Sequence, residues 1–159
     1  MLKKAKPYII SIAIALAIGG AAALLTRNSM DIYSEIATPP LSPPSILFPI
    51  VWTILYILMG ISAAIIYTSQ PTGYATDCRR EGLMIYALSL IVNFFWSIFF
   101  FNARWFLFSF FWLVLLWALI LATIMKYRKV SPLAAYLQIP YLLWVTFAGY
   151  LNFGIFILN

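Results

Sequence analysis

Five uninterrupted apolar stretches constrain this chain more than any other feature: residues 8–25, 46–68, 83–101, 106–125 and 133–158. A helix needs about 20 apolar residues to cross the hydrocarbon of a bilayer, and each stretch reaches or approaches that length. All fourteen charged residues fall between or outside the stretches, as hydrocarbon demands. A water-soluble alternative fails on composition, because 65% of residues are apolar and only 9% charged. The expected fold class is therefore an all-α membrane protein, a five-transmembrane-helix bundle in one membrane domain covering residues 1–159.

The basic residues fix an expected orientation. Lys3, Lys4, Lys6, Arg79, Arg80, Lys126, Arg128 and Lys129 fall on one side of the alternating spans, and only Arg27 and Arg104 fall on the other. By the excess of cytoplasmic Lys and Arg, the N-terminus is expected inside a bacterial plasma membrane and the C-terminus outside. The net charge of +6 then reads as membrane orientation and contact with lipid headgroups, with no nucleic acid as partner. Three lysines before an apolar run, followed by Ala21-Ala22-Ala23, also resemble a signal peptide. The run is longer than the ~7–15 residues of a signal peptide's apolar core, which favours a retained span. Ala13, Ala17 and Ala21, with Gly20 nearby, form a small-xxx-small face expected to admit another helix.

The connection from Thr26 to Ser45 is the longest, and it holds Pro39, Pro40, Pro43 and Pro44. It is expected to be a stiff cap, a long lid loop between the first and second spans, with one or two helical turns over Asp31–Ile36. Asn102-Ala103-Arg104 makes a tight hairpin of the third and fourth spans.

Imidazole chemistry is excluded, since the chain has no histidine, and the single cysteine, Cys78, excludes an internal disulfide. No metal site and no cofactor are expected. Cys78, placed beside Arg79 and Arg80 in a cytoplasmic loop, is expected to serve as a probe of topology. The intramembrane polar groups are Asn93, Gln138, Thr146 and Asn152, with the hydroxyls of Ser62, Ser89 and Ser97. None is an acid or a base, so a proton-coupled transporter lacks its usual carboxylate.

Aromatic residues recur on helical faces. Trp52, Tyr56 and Gly60 share one face of the second span; Asn93, Trp96 and Phe100 share one face of the third; Pro140, Trp144, Phe147 and Leu151 share one face of the fifth. Helix packing and the interfacial aromatic belt account for such faces on their own. Asn93 among the rings adds a donor and an acceptor to an apolar surface, an arrangement that suits a large, flat aromatic ligand.

Particular motifs bring a family into view. The run from Asn93 to Arg104, NFFWSIFFFNAR, resembles the third-span signature of the TspO/MBR family, the tryptophan-rich sensory proteins related to the mitochondrial translocator protein. Val130 to Ala135 with Ile139-Pro140-Tyr141-Leu142-Leu143-Trp144, Phe147-Ala148 and Leu151-Asn152 resembles its fifth span, and Phe48 to Gly60 is similar to its second. The resemblance implies a homodimer of five-helix bundles, each with a lidded pocket for porphyrins such as protoporphyrin IX, for sterols in some branches, or for isoquinoline and benzodiazepine drugs. By position, Trp52 and Trp144 would be the pocket tryptophans. Tyr56, Asn93, Trp96, Phe100, Pro44 and Ala148 would line or shape the cavity. Three functions follow from it: a sensor or handler of tetrapyrroles, a membrane enzyme of light-dependent porphyrin breakdown in which Trp52 and Trp144 are catalytic, or a small-molecule transporter. The chain departs from the family's first loop, which commonly reads Trp-Tyr and then Lys-Pro-x-Trp-x-Pro-Pro. Here those positions are Ile32-Tyr33 and Thr38 to Pro44, so two tryptophans and a lysine are missing. The sterol motif is not met after Tyr150, and a loose match falls around Tyr127.

Overall fold

A computed structural model describes residues 2–159, with side chains from residue 5 onward. Among the described residues there are helices and loops and no strand. The helices are α1 (Leu2–Thr26), the single turn α2 (Ile32–Glu35), α3 (Leu47–Thr68), α4 (Tyr74–Ser97), α5 (Phe106–Arg128) and α6 (Pro132–Leu158). Five of them are long and apolar enough to span a membrane. They form a closed ring in the order α1, α3, α6, α5, α4, with α4 returning to α1. Lipid-exposed backbone must satisfy its own hydrogen bonds, and a ring of helices does so.

Local chemistry sets the boundaries. Ser131 caps α6 by accepting the Ala134 N–H at 3.5 Å, and Pro132 occupies the first turn, where its missing N–H costs nothing. α4 begins nine residues before the apolar stretch from Leu83, so its first turns carry Asp77, Arg79, Arg80 and Glu81. Glu81 pairs there with Lys126 of α5. At the other end α4 runs into a π-helical turn, Ile98–Asn102, closed by Ala103 N–H donating to the Ile98 carbonyl at 3.0 Å. The extra residue per turn rotates the aromatic run NFFWSIFFFN, and the hairpin closes with Arg104 in the left-handed region at φ 54°.

α1 packs through a different face from the one its small residues suggest. Ala13, Ala17, Ala21 and Gly20 are exposed, and a Cβ on Gly20 would meet nothing within 4 Å. Ala15, Gly19 and Ala22 make the contact instead. The partners decide this: Gly60 of α3 brings the helix backbones so close that a Cβ there would lie 2.6 Å from Ile12 Cα. At Gly19 a Cβ would run into the Tyr56 ring. A stripe of small residues marks a surface that can be approached, and the neighbour's shape selects which stripe is used.

The first loop forms the expected cap. Ile32 is buried, and the loop is fastened to the end of α6. The Tyr150 hydroxyl donates to the Pro40 carbonyl at 2.8 Å. Asn159 clasps Ala37 in both directions, accepting its N–H at 3.1 Å and donating to its carbonyl at 2.9 Å. Pro39 seats on Gly154, where a Cβ would meet the pyrrolidine ring at 2.7 Å. Arg104 and Glu35 add an exposed ion pair at 2.8 Å.

Candidate functional site

Beneath the cap the aromatic faces of three spans converge. Trp52 from α3, Trp96 and Phe100 from α4 and its π turn, and Trp144, Ala148, Leu151 and Asn152 from α6 surround one point, with Tyr33 of α2 and Phe48 of the first turn of α3 closing it. Trp96 stacks on Phe100 at 5.4 Å between ring centroids, and Trp52 stacks on Tyr56 at 5.6 Å. Trp52 also meets Trp96 at 6.5 Å and Tyr141 edge-on at 6.1 Å. Offset and edge-to-face pairs of this kind stabilise by about 0.5–1.5 kcal/mol each beyond their buried area.

The polar groups are committed to one another. Asn93 Nδ2 donates to the Tyr56 hydroxyl at 2.9 Å, so that amide braces α4 against α3. Asn152 accepts from Trp96 Nε1 at 3.2 Å and from the Ser109 hydroxyl at 3.2 Å, and donates to the Phe106 carbonyl at 2.8 Å. One amide on α6 thereby fixes an indole on α4 and the first turn of α5. Deeper in the bundle, Gln138 Nε2 donates to the Ser62 hydroxyl at 3.2 Å, which donates in turn to the Ala134 carbonyl at 2.7 Å. Four buried groups have no partner among the described residues: the hydroxyls of Tyr86, Tyr127 and Tyr141 and, at the convergence itself, Trp144. Its Nε1–H is buried with no acceptor among the described residues. An unpaired buried donor of this kind costs about 1–3 kcal/mol.

The space left at the convergence is only about 10 Å³, room for one water at most. Tyr33 and Phe48 fill it: their rings pack at 5.0 Å, with Phe48 edge-on to Trp144 at 6.0 Å and Tyr33 against Phe100 at 6.4 Å. A pocket for a drug-sized ligand usually spans about 300–1,000 Å³, so the site is closed, by Tyr33 of the lid together with Phe48 of α3. On its outer side Trp144 borders a shallow groove of about 490 Å³ between α3 and α6, together with Pro140 and Phe147. The face Pro140, Trp144, Phe147, Leu151 thus straddles the wall between core and exterior.

Of the eight residues singled out from sequence, Trp52, Trp96, Phe100, Trp144 and Ala148 meet at the point of convergence. Tyr56 and Asn93 stand behind Trp52 as a hydrogen-bonded pair. Pro44 is exposed and lies apart, its carbonyl accepting the Leu47 N–H at 3.0 Å at the start of α3. Tyr33, Phe48 and Asn152 are brought in by the fold. Asn152 had a signal as an intramembrane amide, whereas nothing in residue spacing ties Tyr33 to the three spans. Cys78 is fully buried, which removes its value as a surface probe. Tyr127, the tyrosine of the loose sterol match, is also wholly buried, with its ring against Gly82 of α4.

Comparison with known proteins agrees with this architecture. Residues 11–158 match the TspO/MBR family. The chain is 37% identical to the tryptophan-rich protein TspO of Chlorobaculum tepidum, over 100% of this chain and 99% of that one. It is 36% identical to the tryptophan-rich protein TspO of Archaeoglobus fulgidus, over 94% of each chain. It is also 36% identical to the translocator protein of Ovis aries, over 76% of this chain and 70% of the sheep protein. With five spanning helices, an aromatic convergence under a long first loop and a match over nearly its whole length, the chain is an integral membrane protein that belongs to the TspO/MBR family.

Proposed function

We propose that the chain binds a tetrapyrrole such as protoporphyrin IX, or a related flat hydrophobic ligand, between Trp52, Trp96 and Trp144, and acts as its sensor or handler. The observation that carries this reading is the buried, unpaired Nε1–H of Trp144 in a ring of stacking faces. A carbonyl or carboxylate on an aromatic ligand would satisfy that donor while the indoles stack on its plane. Entry requires Tyr33 to withdraw with the loop and Phe48, on the first turn of α3, to swing aside, and the contacts that hold the loop join it to the last turns of α6. The lid then acts as a gate. The absent loop tryptophans and lysine leave Tyr33 as the loop's aromatic part of that gate, packed on Phe48 of α3.

The same reading places the basic end of the bundle in the cytoplasm of a bacterial plasma membrane and pairs two copies. Met84, Leu88, Ile91 and Phe95 form an exposed apolar stripe at helical spacing on α4, which supports a dimer face there. An Ile91→Cys variant lacking Cys78 is expected to form a disulfide-linked dimer in lipid.

The deciding experiment is quenching of tryptophan fluorescence by protoporphyrin IX in detergent, in the dark and under light, for the wild type and Trp144→Phe. Saturable quenching in the dark that weakens in Trp144→Phe is expected. No saturable quenching in the wild type would overturn the reading. Light-driven loss of the porphyrin spectrum in the wild type alone would extend it to the enzymatic function.

A further inference from the structure

A second and far larger space lies at the opposite, basic end of the bundle. α1 and α4 diverge there, leaving a groove of about 550 Å³ that α3 closes from behind. Small side chains open it: Ala63 and Ala64 form the floor and Ala87 thins the α4 wall, while Leu90 lies further along that wall. The rest of the lining is mainly aliphatic, with Ser11 and Tyr86 among it, and Lys6 and Tyr67 stand at the mouth. Tyr67 also borders a polar recess of about 450 Å³, lined by Ser69, Gln70, Thr76 and Arg79. Apolar slot and polar recess therefore meet at one tyrosine.

The cations at this junction differ in their contacts. Arg79 is held, donating through Nε to the Ile66 carbonyl at 3.1 Å and through Nη2 to the Tyr67 carbonyl, with its guanidinium 5.7 Å above the Tyr67 ring. Lys6 is exposed at the other rim. Neither has a carboxylate partner among the described residues, in contrast to Arg104 and Lys126. Lys6 thus stands at the entrance of the slot and Arg79 in the recess that adjoins it across Tyr67, at the depth where helix ends emerge from hydrocarbon.

We propose that this groove binds an anionic phospholipid of the surrounding leaflet, with one acyl chain lying along Ala63, Ala64 and Ala87 and the phosphate held between Lys6 and Arg79. The slot volume falls in the range of small-molecule sites, and its aliphatic walls suit a chain better than a flat ring. The two positive charges select a headgroup with net negative charge over a zwitterionic one, whose own cation they repel. The site is remote from Trp144, so its occupancy is independent of tetrapyrrole binding.

The test is native mass spectrometry of the full chain released from detergent with phosphatidylglycerol, phosphatidylcholine or inorganic phosphate. Phosphatidylglycerol should be retained at least about fivefold more tightly than phosphatidylcholine, and Lys6→Gln should lower its affinity about fivefold, the contribution of one surface cation. Ala87→Trp, which fills the slot from an exposed position on α4, should abolish retention without changing the melting temperature. Trp144→Phe should leave it unchanged. Equal retention of both lipids, lipid binding indifferent to Lys6→Gln and Ala87→Trp, or displacement of the lipid by inorganic phosphate would each overturn the proposal.

Discussion

Replacing Asn152 with leucine should be among the most damaging single changes to the site, and its cost can be worked out group by group. Asn152 is 1% exposed and makes three hydrogen bonds. Two of its partners survive its loss, because the one Ser109 hydroxyl proton can turn to the Phe106 carbonyl, which lies 3.0 Å away. Only Trp96 Nε1–H is orphaned, at a residue 7% exposed, with a penalty of about 1–3 kcal/mol. Loss of the donation to Phe106 adds about 0.5–1 kcal/mol, so the total is about 1.5–4 kcal/mol. In a Trp96→Phe background no donor remains to be orphaned, and the cost should fall to about 1 kcal/mol. The resulting coupling of about 1–3 kcal/mol overlaps at its lower end the side-chain bonds found in lipid, which average about 0.6 and reach about 1.7 kcal/mol. Reversible unfolding of the four variants in mixed micelles, with rising SDS fraction, measures it. An Asn152→Leu cost that is the same in both backgrounds would refute the account of the site as held together by this amide.

Gly60→Ala should destabilise the bundle by about 1–3 kcal/mol, since its Cβ would sit 2.6 Å from Ile12 Cα, whereas Gly20→Ala, with nothing within 4 Å, should be neutral or stabilising by up to about 1 kcal/mol. The same unfolding assay distinguishes them, and the reverse order would mean that α1 packs through its other face. Gly154→Ala should push Pro39 off its seat and loosen the lid, raising the rate of porphyrin quenching in stopped flow while leaving the aromatic rings in place; an unchanged rate would mean that ligands enter by another route. Cys78, being fully buried, should resist a membrane-impermeant thiol reagent on either side of the membrane. In a Cys78→Ala chain, Asn28→Cys should label in intact cells and Arg128→Cys only after permeabilisation, and the opposite pattern would invert the proposed orientation.

Much of the fold was legible because hydrocarbon imposes a one-dimensional rule on sequence. Where charge is excluded for about 20 residues a helix crosses, and where prolines cluster it cannot continue, so the five helices and the cap over 26–45 follow from the order of residues alone. Helical spacing likewise announced the faces carrying Trp52, Trp96 and Trp144, since side chains three and four apart share a face whatever they pack against. What spacing could not supply was the partner. The stripe of Ala13, Ala17 and Ala21 satisfies the same pattern as Ala15, Gly19 and Ala22, and only Gly60 and the Tyr56 ring across the interface select the second. The same is true of the site. Closure by Tyr33 and Phe48, the placement of Pro44 outside it, the capture of Asn93 by Tyr56 and of Trp96 by Asn152, and the unpaired Trp144 donor all depend on contacts between residues far apart in sequence. Sequence determined which surfaces are apolar and how long each helix runs, because solvent acts on every residue independently; tertiary structure decided which rings and amides meet, because packing acts on pairs.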